Sequence, residues 1–163
     1  MHAEAFQWVH DHATTDEVTV LDIGGRNING SVRDLFPNAT RYVALDIREG
    51  AGVDIVADAA TWVPDAEYDV VVSTETFEHT DVWREICTTA YAALKTGGTL
   101  ILTMAGPGRG EHSAIDGGPI RPGEYYGNVD GEQLREVLAD AGFKGIVIDS
   151  RTSPADTRAV ATK

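Results

Sequence analysis

The chain has 163 residues, with 13 lysines and arginines against 26 aspartates and glutamates, for a formal net charge of −13. That length supports one domain with a substantial core and leaves no room for a separate substrate domain, so residues 1–163 read as a single domain whose substrate site comes from loops and termini. The negative balance repels phosphate backbones and anionic bilayers, which sets nucleic acids and membranes aside as partners, and the single cysteine, Cys87, excludes an internal disulfide or a cysteine-based metal site.

The start, Met1-His2-Ala3-Glu4, lacks a basic then apolar leader, and no apolar stretch reaches the length of a membrane span, so a cytoplasmic, reducing location is expected. Ala3 to His12 carries Phe6, Trp8 and Val9 among polar residues, an amphipathic pattern for a lead-in helix at the sheet edge. His2, His10 and His12 read as surface or terminal residues, and no metal is expected. Val18–Ile23 is a β-rich run that breaks into Gly24-Gly25-Arg26-Asn27-Ile28-Asn29-Gly30, and Val32, Leu35 and Phe36 give helical spacing after it. Arg41–Leu45 is a second strand, ending at Asp46. The early arginines Arg26, Arg33, Arg41 and Arg48 read as a scatter of solvated charges.

Strands follow at Val53–Ala57 and Tyr68–Ser73, and the continuous run Val70-Val71-Val72 implies burial on both faces, as in a central parallel strand. Val82 to Leu94 has helical periodicity and holds Cys87 among Trp83, Ile86, Ala90 and Tyr91, the setting of a buried structural thiol. Thr99–Met104 is the fifth strand. Gln133 to Ala141 is a helix with Asp130 as N-cap and Gly142 as its closing residue. Ser150 to Asp156 leaves no room for a helix, so Gly145–Asp149 and Thr157–Thr162 pair as an antiparallel hairpin. Trp8, Trp62 and Trp83 read as packing residues.

Strand and helix alternation selects a doubly wound α/β sheet, whose ligands bind at the carboxyl ends of the strands. Three aspartates fall there: Asp22, Asp46 and Asp58. Small residues at 24, 25 and 30 let a nucleotide-like cofactor approach the backbone, amides at the start of the next helix would donate to it, and Asp46, about 20 residues on, is placed for ribose hydroxyls. A second cluster, Glu75, Glu78 and His79, closes the fourth strand. Ala105 to Val129 is a long glycine-rich stretch with Arg109, His112, Arg121, Tyr125 and Tyr126, which reads as a lid over the acceptor.

Six ordered segments resemble the class I S-adenosylmethionine-dependent methyltransferases, especially the methyltransferase type 11 group. They are Val20-Leu21-Asp22-Ile23-Gly24-Gly25, Val43-Ala44-Leu45-Asp46-Ile47, Val53-Asp54-Ile55-Val56-Ala57-Asp58-Ala59, Tyr68 through His79, Leu94 through Leu100, and Ala141-Gly142-Phe143 before the hairpin. The glycine loop departs from the group's Gly-x-Gly-x-Gly pattern, with Arg26 at the customary second glycine. The resemblance implies a three-layer Rossmann-like seven-stranded mixed sheet of order 3-2-1-4-5-7-6, with strand 7 antiparallel. It further implies S-adenosylmethionine as cofactor, held by Asp22, Gly24, Gly25, Arg26, Asp46, Ile47, Asp58, Ala59, Thr74 and Glu75. In that arrangement Asp22 serves the methionine ammonium, Asp46 the ribose diol, and Asp58 with the Ala59 N–H the adenine. Candidate bases are Glu75, Glu78, His79, His112, Tyr125 and Tyr126. The expected activity is methyl transfer to a small-molecule acceptor. The alternatives are a catalytically silent cofactor-binding module that works through a protein partner, and methylation of a protein. An NAD-linked dehydrogenase is set aside because Gly-x-Gly-x-x-Gly is absent.

Overall fold

Val70, Val71 and Val72 are all buried, with helices or loops covering both sides of the strand they form. The computed structural model describes residues 1–163. Its strands are β1 (Thr19–Ile23), β2 (Arg41–Asp46), β3 (Ile55–Val56), β4 (Tyr68–Thr74), β5 (Leu94–Ala105), β6 (Lys144–Ser150) and β7 (Asp156–Thr162), and its helices are α1 (Ala3–His12), α2 (Trp83–Ala93) and α3 (Gly131–Ala141). The sheet order is β3-β2-β1-β4-β5-β7-β6. The first five strands run parallel, and β7 lies antiparallel between β5 and β6. The expected three-layer architecture is therefore the one observed.

Alternation along each strand divides the core. Leu21, Val71, Leu100 and Leu102 face α2 and α3, where Ile86, Cys87, Leu134 and Leu138 meet them. Val20, Val70, Val72 and Ile101 face the other side and pack on Val9 of α1 and on Val32 and Phe36. Each fully buried leucine contributes roughly 1.5–3 kcal/mol of transfer free energy. The lead-in helix thus lies across β5, in the middle of a sheet face, and not at the sheet edge as its pattern suggested. The apolar positions Ala5 and Val9 have no exposure, which a sheet edge would not provide. Cys87 is buried in the first cluster, and burial pushes its thiol up to about 12.

The helix expected after β1 does not form. Only a 3-10 turn, Arg33–Leu35, occupies that connection. Asn27 Oδ1 accepts from the Gly30 amide at 3.0 Å, Gly30 sits at φ +115, and Pro37 follows, so turn formers leave room for a single helical turn. The amides of Gly24 and Gly25 do not point out as ligand donors either; both donate to the Leu45 carbonyl, at 2.7 and 3.1 Å, which draws the glycine loop over the end of β2.

At the other end of the chain the local signals hold. Asp130 accepts from the amides of Glu132 and Gln133 at 3.0 and 3.2 Å, and Gly142, at φ +106, lets the Phe143 amide return to Leu138. β5 is longer than expected, beginning at Leu94 directly after α2 and passing a register shift at Gly97 and Gly98. A Cβ at Gly98 would lie 2.9 Å from the Lys95 carbonyl oxygen.

Candidate active site

The carboxyl ends of β1, β2, β3 and β4 open on one cavity of about 440 Å³, within the usual range for small-ligand sites. Gly24, Arg26, Asp46, Ile47, Asp58, Ala59, Glu75, His79 and Tyr125 lie on its wall. A smaller recess of about 80 Å³ adjoins it through Gly24, Arg26 and Glu75, and there Asp22, Gly25 and Thr74 are found. Every residue expected around the cofactor is therefore in one of two neighbouring spaces. Glu78 and His112 are on neither wall.

Close packing explains the two leading glycines. A Cβ on Gly24, which is at φ +77, would stand 2.0 Å from Thr76 Oγ1, and one on Gly25 would stand 2.8 Å from the Ala44 side chain and 2.9 Å from the Asp22 carboxylate. Asp22 is only 3% exposed and accepts a hydrogen bond from the Tyr42 hydroxyl at 2.7 Å. Burial raises its pKa to about 6, against the pull of that hydrogen bond. Asp46 accepts from the Arg48 amide at 2.9 Å and from the Arg26 amide at 3.4 Å, and Asp58 accepts from the Ala60 amide at 2.9 Å. These backbone-amide contacts leave carboxylate lone pairs free on the cavity wall.

Arg26 is not a solvated charge. Its side chain runs past Gly50, its Nε is buried without a partner, and its Nη2 donates to the Ala114 carbonyl at 3.3 Å. The arginine that replaces a glycine thus joins the cofactor side to the long loop. Arg33 and Arg41 are also paired, with Asp54 and Asp65 at 2.9 and 2.8 Å.

The long loop, residues 106–130, is folded on itself. The Ser113 amide donates to the Gly118 carbonyl and the Ser113 carbonyl accepts from the Gly117 amide, the Ser113 hydroxyl donates to Glu124 at 2.8 Å, and Arg121 pairs with Asp116. Ala114, Gly123, Glu124 and Tyr125 bring it to the cavity wall. Its base is held by Arg109, whose Nη1 reaches Asp156 at 2.6 Å; Asp156 is fully buried and also accepts from Arg158 at 2.8 Å. His2 joins this network, 3.3 Å from Asp156 and 3.5 Å from Glu75, so the reading of it as a mere terminal residue is corrected: α1, packed on β5, carries the N-terminus to the site.

Glu75, the one non-glycine residue at positive φ (+50), holds its amide on the Thr103 carbonyl and its carboxylate on the Thr103 hydroxyl, 3.6 Å from Arg109. Such a backbone costs about 1–3 kcal/mol and clusters at functional sites. Glu78 has no exposure, and neither carboxylate oxygen finds a partner. Burial, and then the neighbouring Glu75 charge, raise its pKa to about 8, while the nearby amides of Glu78 and Ala105 oppose this without reaching hydrogen-bond geometry. Burial followed by repulsion from His112 lowers His79 to about 4, which leaves its imidazole neutral at pH 7. Rings of His79, His112 and Tyr126 meet edge to face with centroids 5.0–5.6 Å apart. Burial raises the Tyr126 phenol to about 12. Ligand-type atoms of Glu78, His79 and His112 lie within 4.8 Å of one another. Their convergence, with Thr76 against Gly24 and the Arg109–Asp156 contact, was not apparent from the chain, where the partners are far apart.

No helix is long and apolar enough to cross a membrane. A family model described as a methyltransferase domain matches residues 1–147. No curated protein sequence matches. Among solved structures, an S-adenosylmethionine-dependent methyltransferase from Mesorhizobium loti shares 15% identity, with a TM-score of 0.73 over 99% of this chain and 98% of its own. Phosphoethanolamine N-methyltransferase 2 of Haemonchus contortus, in complex with S-adenosyl-L-methionine, shares 16% identity and a TM-score of 0.72 over 98% of this chain; the chain spans 52% of that protein. The 1,6-didemethyltoxoflavin-N1-methyltransferase of Burkholderia thailandensis, with bound 1,6-didemethyltoxoflavin and S-adenosylhomocysteine, shares 17% identity and a TM-score of 0.68 over 98% of this chain and 76% of its own. With nine-tenths of its length matched and its sheet order that of the fold, the chain belongs to the methyltransferase domain family and has the class I architecture.

Proposed function

We propose that the chain binds S-adenosylmethionine and transfers its methyl group to a small-molecule acceptor. The observation that carries this reading is the convergence of Gly24, Asp46, Asp58 and Ala59 on one cavity at the strand ends. The donor set fits the group: carboxylates suit a ribose diol and an ammonium, and the site has no cluster of amides for a phosphate, which this cofactor lacks. Asp46 would hold the diol, Asp58 and the Ala59 amide the adenine, and Asp22, below the smaller recess, the ammonium. When bound, the cofactor supplies a methyl group activated on a sulfonium.

Alignment supplies most of the acceleration in such a displacement. Glu75 and His79 lie on the cavity wall beside the loop residues Ala114, Glu124 and Tyr125, so the loop and the end of β4 together bound the acceptor. The neutral imidazole of His79 keeps a lone pair for an acceptor proton or a cation. Enclosure by a loop of 25 residues favours a small acceptor over a protein side chain. The proteins from Haemonchus and Burkholderia, whose names specify small substrates, support the same reading.

Calorimetry with S-adenosylmethionine tests it. The native chain is expected to bind one equivalent, and Asp46→Ala, whose carboxylate accepts from the Arg48 and Arg26 backbone amides alone, is expected to lose binding with its circular dichroism unchanged. Equal affinity in the variant removes the ribose role, and binding without S-adenosylhomocysteine release against a metabolite pool points to a silent module.

A further inference from the structure

We infer that Glu78, His79 and His112 form a site for one divalent transition-metal ion on the acceptor side of the cavity. This rests on the methyltransferase reading for its purpose, though not for its geometry. Three ligand groups meet within 4.8 Å: a carboxylate and two imidazoles from the end of β4 and from the long loop. Glu78 is fully buried, yet both its oxygens lack a partner, and the Nδ1 of His79 is buried and unpartnered as well. Natural structures rarely leave a buried carboxylate so, because the unmet polar atoms cost free energy that a bound ion recovers.

A contact behind His112 agrees with this. His112 Nδ1 stands 3.1 Å from the Gly110 carbonyl, and since a carbonyl only accepts, the proton is on Nδ1 and the Nε2 lone pair is free. The Glu75 carboxylate adds negative charge beside Glu78, and the Arg109 guanidinium 3.6 Å from Glu75 offsets part of it. Two imidazoles with one carboxylate suit Zn²⁺, Mn²⁺, Fe²⁺ or Co²⁺; Mg²⁺ and Ca²⁺ take oxygen ligands. Metal–ligand bonds of about 2.0–2.1 Å place ligand atoms about 3.4 Å apart in a tetrahedron, so the partly exposed His112 has to close inward by about an ångström.

Three protein ligands leave coordination positions open. His79 is the ligand that lies on the cavity wall, so an ion held here would meet the acceptor past its ring. The substrate class that follows is a small molecule with a hydroxyl or similar oxygen, which the ion would orient and whose proton it would release to solvent at neutral pH.

The test uses Co²⁺ alone with the full chain, read by its visible absorption and by calorimetry, without turnover. One Co²⁺ per chain is expected, with the intensified absorption of a site of low coordination number. His112→Ala and, separately, Glu78→Gln are expected to weaken binding by about tenfold or more. The absence of stoichiometric binding, or a loss below about tenfold in both folded variants, overturns the site. Calorimetry with S-adenosylmethionine on the metal-free chain keeps the two readings apart. A chain that binds the cofactor and not Co²⁺ retains the function and loses this site; the opposite result retains the site and loses the function.

Discussion

Asp22→Asn separates what the fold wants from what the cofactor wants. In the native protein the carboxyl is 3% exposed beneath Gly25, hydrogen-bonded to the Tyr42 hydroxyl, with its pKa raised from 3.8 to about 6. A folded-state pKa above the unfolded value means the protonated form is preferred in the fold. The associated stability is fully present below about pH 3.8 and is lost as the pH rises through about 6. A difference of about two units, at 1.36 kcal/mol each, amounts to about 3 kcal/mol between the acid limit and pH 7. Asparagine is neutral at every pH and keeps an oxygen for Tyr42. The variant is therefore expected to gain up to about 3 kcal/mol over the native chain at pH 7–8 and to lose that advantage toward pH 4. Urea unfolding of both proteins across this range gives the difference directly, since the other carboxylates cancel between them. The same variant is expected to bind S-adenosylmethionine more weakly at pH 7, because the ammonium loses its charged partner. A stability difference independent of pH would refute the burial argument, and unchanged cofactor affinity would refute the ammonium role.

Gly24→Ala places a methyl 2.0 Å from Thr76 Oγ1 at φ +77, and a loss of about 2–4 kcal/mol is expected in urea; Thr76→Gly in the same chain should return the steric part, and strictly additive effects would show that the two do not meet. Asp156→Ala removes the fully buried carboxylate that Arg109 and Arg158 share, leaving them the longer contacts to Glu75 and Asp149, so a loss of about 1.5–3 kcal/mol and easier proteolysis of the long loop are expected; a loss under about 1 kcal/mol would show that the network holds nothing.

Periodicity carried the architecture. The valine run of β4, the cap at Asp130 and the short connection before β7 each constrain geometry within a few residues, and all three appear as read. The aspartates were legible for the same reason, because a strand end in this architecture is already a place in the ligand cleft. Residues whose position depends on tertiary path were not. The spacing of Val32, Leu35 and Phe36 matched a helix, but it reflects three residues reaching one apolar cluster from a turn. His112 meets His79 only because the long loop returns to the end of β4, where Gly127 donates to the Glu78 carbonyl at 2.8 Å. His2 reaches Glu75 because α1 crosses β5, a docking that its amphipathic pattern does not aim.

The loop from 106 to 130 is internally braced by Ser113, Glu124, Arg121 and Asp116, and it touches the strand-end aspartates only across the cavity. Its tie to the glycine loop is the Arg26 bond to the Ala114 carbonyl, so under the proposed function a change of loop shape that keeps this bond leaves the cofactor side intact. Under the proposed function this loop, with the end of β4, bounds the acceptor, so a short insertion, deletion or exchange within one contiguous stretch of gene would reshape specificity and leave every β-strand alone.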